Sequence, residues 1–162
     1  MKNFLFIYWL SIVLLFALFY WDVSPFSSII NNNQTDFTSY LTSLTLPDAL
    51  MHENRIKINP HYGLVIEKAC NGMIPYLFFL ASIIAFPSTL THKLKWMLMG
   101  YVIIMSMNSF RIWLVTQFVL KEQDNFSLAH DFLGNTLLIV TGLVLFITFV
   151  KSRKNIKIKL NN

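Results

Sequence analysis

Three side chains in this sequence are capable of chemistry that an apolar setting does not ordinarily hold. Cys70, the one cysteine of the chain, stands just before an apolar run, and a thiolate attacks carbonyl carbon readily. Arg111 lies inside a second apolar run, where a fixed cation stabilises a thiolate or a developing oxyanion. His130 opens a third, and imidazole moves protons near neutral pH. Together they would support acyl transfer through a thioester. Each also has a plainer reading. A lone cysteine often behaves as a small buried apolar group, a helix-terminal histidine as a polar cap, and Arg111 as a structural cation paired with an acid such as Asp131 or Glu67. Asp131, His52 and His61 stay open as further proton carriers for Cys70. No histidine pair at metal-ligand spacing, no glycine-rich phosphate loop and no Gly-x-Ser-x-Gly elbow competes with this set. One cysteine also excludes an intramolecular disulfide and a cysteine-based zinc site, so neither a metal nor a cofactor is expected.

The elements that must position these groups follow from composition. Of 162 residues, 55% are apolar and 13% charged, and the mean hydropathy is +0.54. A small soluble domain needs more polar surface than that, because its area is large for its volume. The composition therefore predicts an all-α, polytopic integral membrane helix bundle and excludes a soluble enzyme. Four apolar runs approach the ~20 residues a helix needs to cross ~30 Å of hydrocarbon: residues 4–21, 73–90, 96–120 and 132–150. The chain reads as a single membrane domain, 1–162, with a loop over 22–69 and a basic tail over 151–162. Asn31, Asn32, Asn33 and Gln34 read as loop. Leu41, Leu44, Leu46, Leu50, Ile56 and Ile58 suggest an amphipathic segment lying on the outer membrane face or on the bundle.

The net charge of +5 and pI near 9.4 do not signal nucleic acid, since the basic residues form neither a stripe nor an aromatic-interleaved motif. Their placement sets orientation instead. With the N-terminus in the cytoplasm, Lys2, Lys93, Lys95, Lys151, Arg153, Lys154, Lys157 and Lys159 fall inside, and Arg55, Lys57, Lys68 and Lys121 outside. Lysine and arginine direct insertion, so the expectation is N-in/C-in, with the 22–69 loop outside and an uncleaved first span. Arg111 then sits ~22 Å from Trp96 and ~13 Å from Leu120 along its helix, in the outer half. A mid-membrane arginine costs ~2.5–3.5 kcal/mol on insertion scales, so something must compensate. Cys70, Arg111 and His130 thus share one membrane depth on three different segments.

At these residues the sequence resembles the exosortase/archaeosortase family of membrane-embedded cysteine transpeptidases. The resemblance rests on Ala69-Cys70-Asn71-Gly72 opening a span, Asn108-Ser109-Phe110-Arg111-Ile112 within the next, and His130 heading the last, and it covers about residues 62–150. It implies processing of exported proteins whose C-terminal tail carries a recognition motif, one hydrophobic helix and a basic cluster. Cys70 would be the nucleophile, Arg111 the stabiliser of thiolate or oxyanion, and His130 the proton carrier. Asn71, Gly72, Asn108 and Asp131 are the expected substrate-binding residues. The implied setting is the cytoplasmic membrane of a prokaryote, with the site facing outward and membrane lipids as neighbours. Many family members are longer and have more spans, so this would be a compact one. Two rival readings stand beside it: a non-catalytic membrane scaffold in which Arg111 pairs with an acid, and a transporter component in which Arg111 binds an anion.

Overall fold

In the computed structural model the described residues are 2–22, 24–48, 50–122, 124 and 126–160. The chain is 77% helical. Helix α1 spans Lys2–Phe19, α2 Pro25–Ser43, α3 Met73–Ala85, α4 Leu90–Lys121 and α5 Asn135–Leu160. Three short strands, β1 (Met51–His52), β2 (Arg55–Asn59) and β3 (Tyr62–Val65), lie between α2 and α3, and a π-helical turn, Leu128–Gly134, leads into α5. Of the basic tail expected over 151–162, the last two residues lie outside the described ones.

Two stretches, Leu90–Lys121 and Leu128–Arg153, are long and apolar enough to cross a membrane. The apolar helices Phe4–Phe19 and Met73–Ala85 are shorter. The run expected over 73–90 stops at Ala85. Phe86 adopts an extended conformation (φ −80°, ψ 129°) because the residue before a proline, here Pro87, is sterically barred from the helical region. Helix α4 restarts at Leu90, its first turn capped by the Thr89 hydroxyl, which accepts from His92 N at 3.4 Å. It therefore begins six residues earlier than the apolar run alone suggested. His92 is held between Ser88 Oγ and Ser152 Oγ, both at 2.8 Å, and stacks on Phe149, tying α5 to the start of α4.

Within the segment 22–69, the reading of Asn31–Gln34 as loop is corrected. Asn31–Gln34 lie within α2, an inside-out helix that buries Ser27, Asn31, Gln34, Thr38, Ser39 and Thr42 while Phe26, Ile29 and Tyr40 are exposed. Local rules start it: Ser24 caps the first turn by accepting from Phe26 N at 3.2 Å, and Pro25 at the first position forfeits no helical bond. Asn31, Gln34 and Thr38 in the middle find partners, whereas the buried hydroxyls of Ser27, Ser39 and Thr42 have none among the described residues. The Asn31 amide donates to Phe19 O at 2.8 Å, closing the end of α1, and to Ser27 O at 2.7 Å. A polar run can be helical when its donors are used this way. Nor do the expected amphipathic leucines and isoleucines share one helix. Leu46 and Ile56 pack with Ile66 and Ile112, so the sheet is fastened to the C-terminal half of α4, while Leu44 is exposed.

The helices pack in a chain of neighbours, with α3 contacting α1, α4 and α5. Phe79 and Ile83 of α3 meet Trp96, Ile104 and Met105 of α4 and Leu145 and Phe149 of α5 in one core. Met73, Leu77 and Ala81 of α3 meet Ile12 and Phe16 of α1 in another. Outside these cores, Phe6, Trp9, Leu98, Ile139 and Leu143 are exposed. Apolar surface on that scale would be unfavourable in water and is what hydrocarbon solvates.

Candidate active site

Cys70 ends a short 3-10 turn, Lys68–Cys70, between β3 and α3. The next two residues are locked in place. Gly72 has φ +81°, a left-handed conformation that side-chain-bearing residues adopt at a cost. A Cβ there would also meet Met105 Sδ at 3.1 Å and the Asn108 amide at 3.2 Å. Asn71 is wholly buried. Its Oδ1 accepts from Met73 N, the first amide of α3, at 2.9 Å, and its amide donates toward Asn31 Oδ1 at 3.3 Å. Gln34 and Thr38 of α2 both donate to its carbonyl, at 3.2 and 3.1 Å. Helix α2 thus grips the residue after Cys70, and Asn108 of α4 grips Cys70 itself, donating from Nδ2 to Cys70 O at 2.8 Å.

The opposite wall comes from α4 and the π-helical turn. Gly134, the last residue of that turn, allows Arg111 to lie alongside, since a Cβ on it would stand 2.7 Å from Arg111 Nε. Arg111 is 4% exposed. Its Nη2 donates to His130 Nε2 at 3.0 Å and to Asn135 Oδ1 at 3.2 Å. The plainer reading of Arg111 gave it a carboxylate partner such as Asp131 or Glu67; an imidazole and an amide fill that role. The same His130 Nε2 lies 3.5 Å from Cys70 Sγ. On the other side of the ring, Nδ1 is 2.8 Å from Asp131 Oδ1, and Asp131 Oδ2 accepts from Ser127 Oγ at 3.1 Å. Phe126 stacks on the imidazole at 5.0 Å between centroids. A carboxylate at Nδ1 selects the Nδ1–H tautomer, which leaves the Nε2 lone pair to accept from Arg111 or to receive a thiol proton.

Cys70, Arg111 and His130, from three separate segments, therefore meet. Gly72 and Asn108 lie beside them, and Asp131 behind the histidine. Asn71, expected among the substrate-binding residues, lines neither neighbouring cavity and faces α2 instead. His52 and His61 line a separate cavity on the sheet that does not include Cys70. Sequence reasoning missed Asn135, Gly134 and the Gln34–Thr38 grip. Asn135 carried a signal, as an amide inside an apolar run one turn beyond Asp131; the other two carried none.

Two cavities adjoin the cluster, with Arg111 in the wall of both. One, about 540 Å³, runs from Ala69, Gly72, Asn108 and Asn135 down between Tyr8 of α1, Phe78 and Ser82 of α3 and Leu143 and Phe146 of α5. The other, about 260 Å³, lies between residues 62–67 and the side chains of Cys70, Phe126 and His130. Asn108 Oδ1 and Arg111 Nε are buried polar atoms without a hydrogen-bond partner, as are the hydroxyls of Ser27, Ser39, Thr42 and Ser109 among the described residues. Such atoms are uncommon in folded proteins, and both Asn108 and Arg111 line the larger cavity.

Over residues 2–147 the chain matches the family model described as transmembrane exosortase. The chain belongs to the transmembrane exosortase family. No curated protein and no solved structure matches it. Exosortases are membrane proteins, generally cysteine transpeptidases, that act on exported proteins bearing sorting signals. In this exosortase the cysteine available for such chemistry is Cys70, the one in the sequence.

Proposed function

We propose that this exosortase cleaves the C-terminal sorting tail of exported proteins, with Cys70 as nucleophile, His130 as proton carrier and Arg111 as the stabiliser of negative charge. The observation that carries the reading is the pair of contacts at one nitrogen: His130 Nε2 stands 3.5 Å from Cys70 Sγ and 3.0 Å from Arg111 Nη2. Nε2 takes the thiol proton as Sγ attacks the scissile carbonyl carbon. The protonated ring can no longer accept from Arg111, so the guanidinium is released towards the thiolate and then towards the tetrahedral oxyanion. Collapse breaks the C–N bond, His130 returns the proton to the leaving amine, and the tail departs. Water, an amine or a lipid-linked acceptor next gives its proton to His130 as it attacks the thioester, and Sγ leaves with that proton. Asp131 holds the ring in its tautomer through Nδ1. Asn108 and Gly72 bind substrate beside the nucleophile, while Asn71 fixes the backbone that presents it.

In this reading α1 and α3 join the two longer helices as spans, both termini are cytoplasmic, and the cluster opens to the outside of a prokaryotic cytoplasmic membrane. The lysine and arginine distribution supports that orientation. The larger cavity supports a substrate tail with a recognition motif, a hydrophobic helix and a basic cluster. It has mainly apolar walls, extends about 16 Å along α5 from Asn135 to Phe146, and has open space at Gly142. It also ends at Asn108 Oδ1, an unpaired acceptor suited to the free amides of a helix N-terminus.

The test is co-production with an exported protein ending in such a tail. Cys70→Ala, Arg111→Ala and His130→Ala each remain in the membrane and leave the full-length substrate uncleaved, whereas the parent chain shortens it. Normal processing by Cys70→Ala would refute the nucleophile. Labelling of Cys70 by an impermeant maleimide from the cytoplasmic side alone would refute the orientation.

A further inference from the structure

The sheet has the order β1-β2-β3, so β3 is an edge strand. Hydrogen-bond parity tells which of its backbone groups are free. In an antiparallel ladder, alternate residues bond to opposite neighbours. Lys57 N donates to Leu50 O at 2.7 Å, which turns Lys57 and Arg55 of β2 towards β1. Ile66 N donates to Asn54 O at 2.8 Å, and Ile56 is paired with Leu64. Leu64 and Ile66 therefore face β2, and the amides and carbonyls of Gly63 and Val65 face the open edge. No described residue supplies these four groups with a backbone partner.

An open edge is a template for another extended chain, and folds usually cover or blunt it. Here it is neither charged nor proline-bearing, and Val65 is 42% exposed. It borders the smaller cavity, whose other residues include Cys70, His130 and Phe126. The strand also points at the nucleophile: the chain passes from Val65 to Cys70 within five residues. Beyond Cys70, on the other side of Arg111, the larger cavity begins.

We propose that the substrate segment preceding the scissile bond binds as a fourth strand on the free edge of β3, exchanging main-chain hydrogen bonds with Gly63 and Val65. The added strand runs parallel to β3, so the substrate chain reaches Cys70 and then turns past Arg111 into the apolar cavity. Main-chain pairing supplies affinity, and side chains at alternate positions read the cavity walls. The proposal rests on Cys70 being the nucleophile that processes exported proteins.

The experiment uses the full chain in detergent and a fluorescent synthetic peptide spanning the sorting segment of an exported protein from the same cell. Each residue of the peptide is N-methylated in turn, which deletes one donor. Because only alternate residues face β3, affinity falls about tenfold at two positions spaced by two, and the position between them binds like the parent. A flat profile, or losses at adjacent positions, overturns the proposal. On the protein, Val65→Pro deletes the outward amide, a change edge strands tolerate. It raises KM about tenfold with kcat unchanged, while Val65→Thr, which keeps the amide, raises KM far less than Val65→Pro. If Val65→Pro does not fold, the peptide profile decides alone. Cys70→Ala separates the two ideas. It binds the peptide with the same alternating profile but does not turn it over, and turnover by that variant would refute the nucleophile without touching the strand.

Discussion

Gly134→Ala is the sharpest probe of how the site is assembled. The added methyl would lie 2.7 Å from Arg111 Nε and 3.1 Å from both Arg111 Cγ and Ala129 O. Nε is not a free end: the guanidinium beyond it is buried and bonded to His130 and Asn135, so the side chain cannot swing into solvent. Overpacking of this kind costs about 1–3 kcal/mol. Displacing the guanidinium by ~1 Å costs about a hundredfold in rate, because its alignment on the imidazole nitrogen and on the oxyanion is lost together. Thermal unfolding in detergent reads the first effect, and the single-turnover rate on a tailed substrate reads the second. The decisive control is Arg111→Ala. Without the arginine the contacts with Nε and Cγ are gone and only the 3.1 Å approach to Ala129 O remains, partly offset because alanine is intrinsically the better helix former by roughly 0.5–1 kcal/mol. In that background Gly134→Ala is therefore much less destabilising than in the parent background. If Gly134→Ala destabilises both backgrounds equally, the glycine is not there to admit Arg111 and the packing argument fails.

The other predictions concern the flanking residues. Asp131→Asn lowers kcat by no more than about tenfold, with KM unchanged, since the Asp131 side chain is 63% exposed and water competes for the histidine proton. A loss near the ~10⁴ seen for a buried triad aspartate would mean that the carboxylate works in a closed site. Asn71→Ala removes the acceptor for Met73 N and the side-chain bond to Asn31 of α2 while keeping the backbone carbonyl that Gln34 and Thr38 hold, so thermal unfolding reports about 1–3 kcal/mol lost. Maleimide labelling of Cys70 then becomes faster as the turn loosens; unchanged stability and labelling would show that the Asn71 side chain does not hold the nucleophile's turn.

Much of the site was legible in the sequence because membranes make polar residues conspicuous. Arg111 stood out against its run for a physical reason, the cost of burying a guanidinium, and Cys70 and His130 stood out by marking the starts of two others. The helical character of α1, α3, α4 and α5 followed from apolar length in the same way. The boundaries did not, because hydropathy is blind to backbone sterics: Phe86-Pro87 ends α3 early, and Thr89 starts α4 early. Helix α2 was not legible at all. Its Asn-rich run has the composition of a loop, and only contacts with Phe19, Asn71 and Tyr101 give its amides a reason to be buried.

What one chain of letters determines is where each segment prefers to be, since transfer between water and hydrocarbon is a property of the segment itself. Which segment touches which is not, because a hydrogen bond needs two partners brought together by packing elsewhere. Asp131 and His130 are neighbours in sequence, but His130 is 19 residues from Arg111 and 60 from Cys70. The sequence alone established a thiol, a cation and an imidazole on three apolar segments. The replacement of an acidic partner for Arg111 by a histidine shared with the cysteine was decided by the π-helical turn and by the missing side chain of Gly134, which let α4 and α5 close around it.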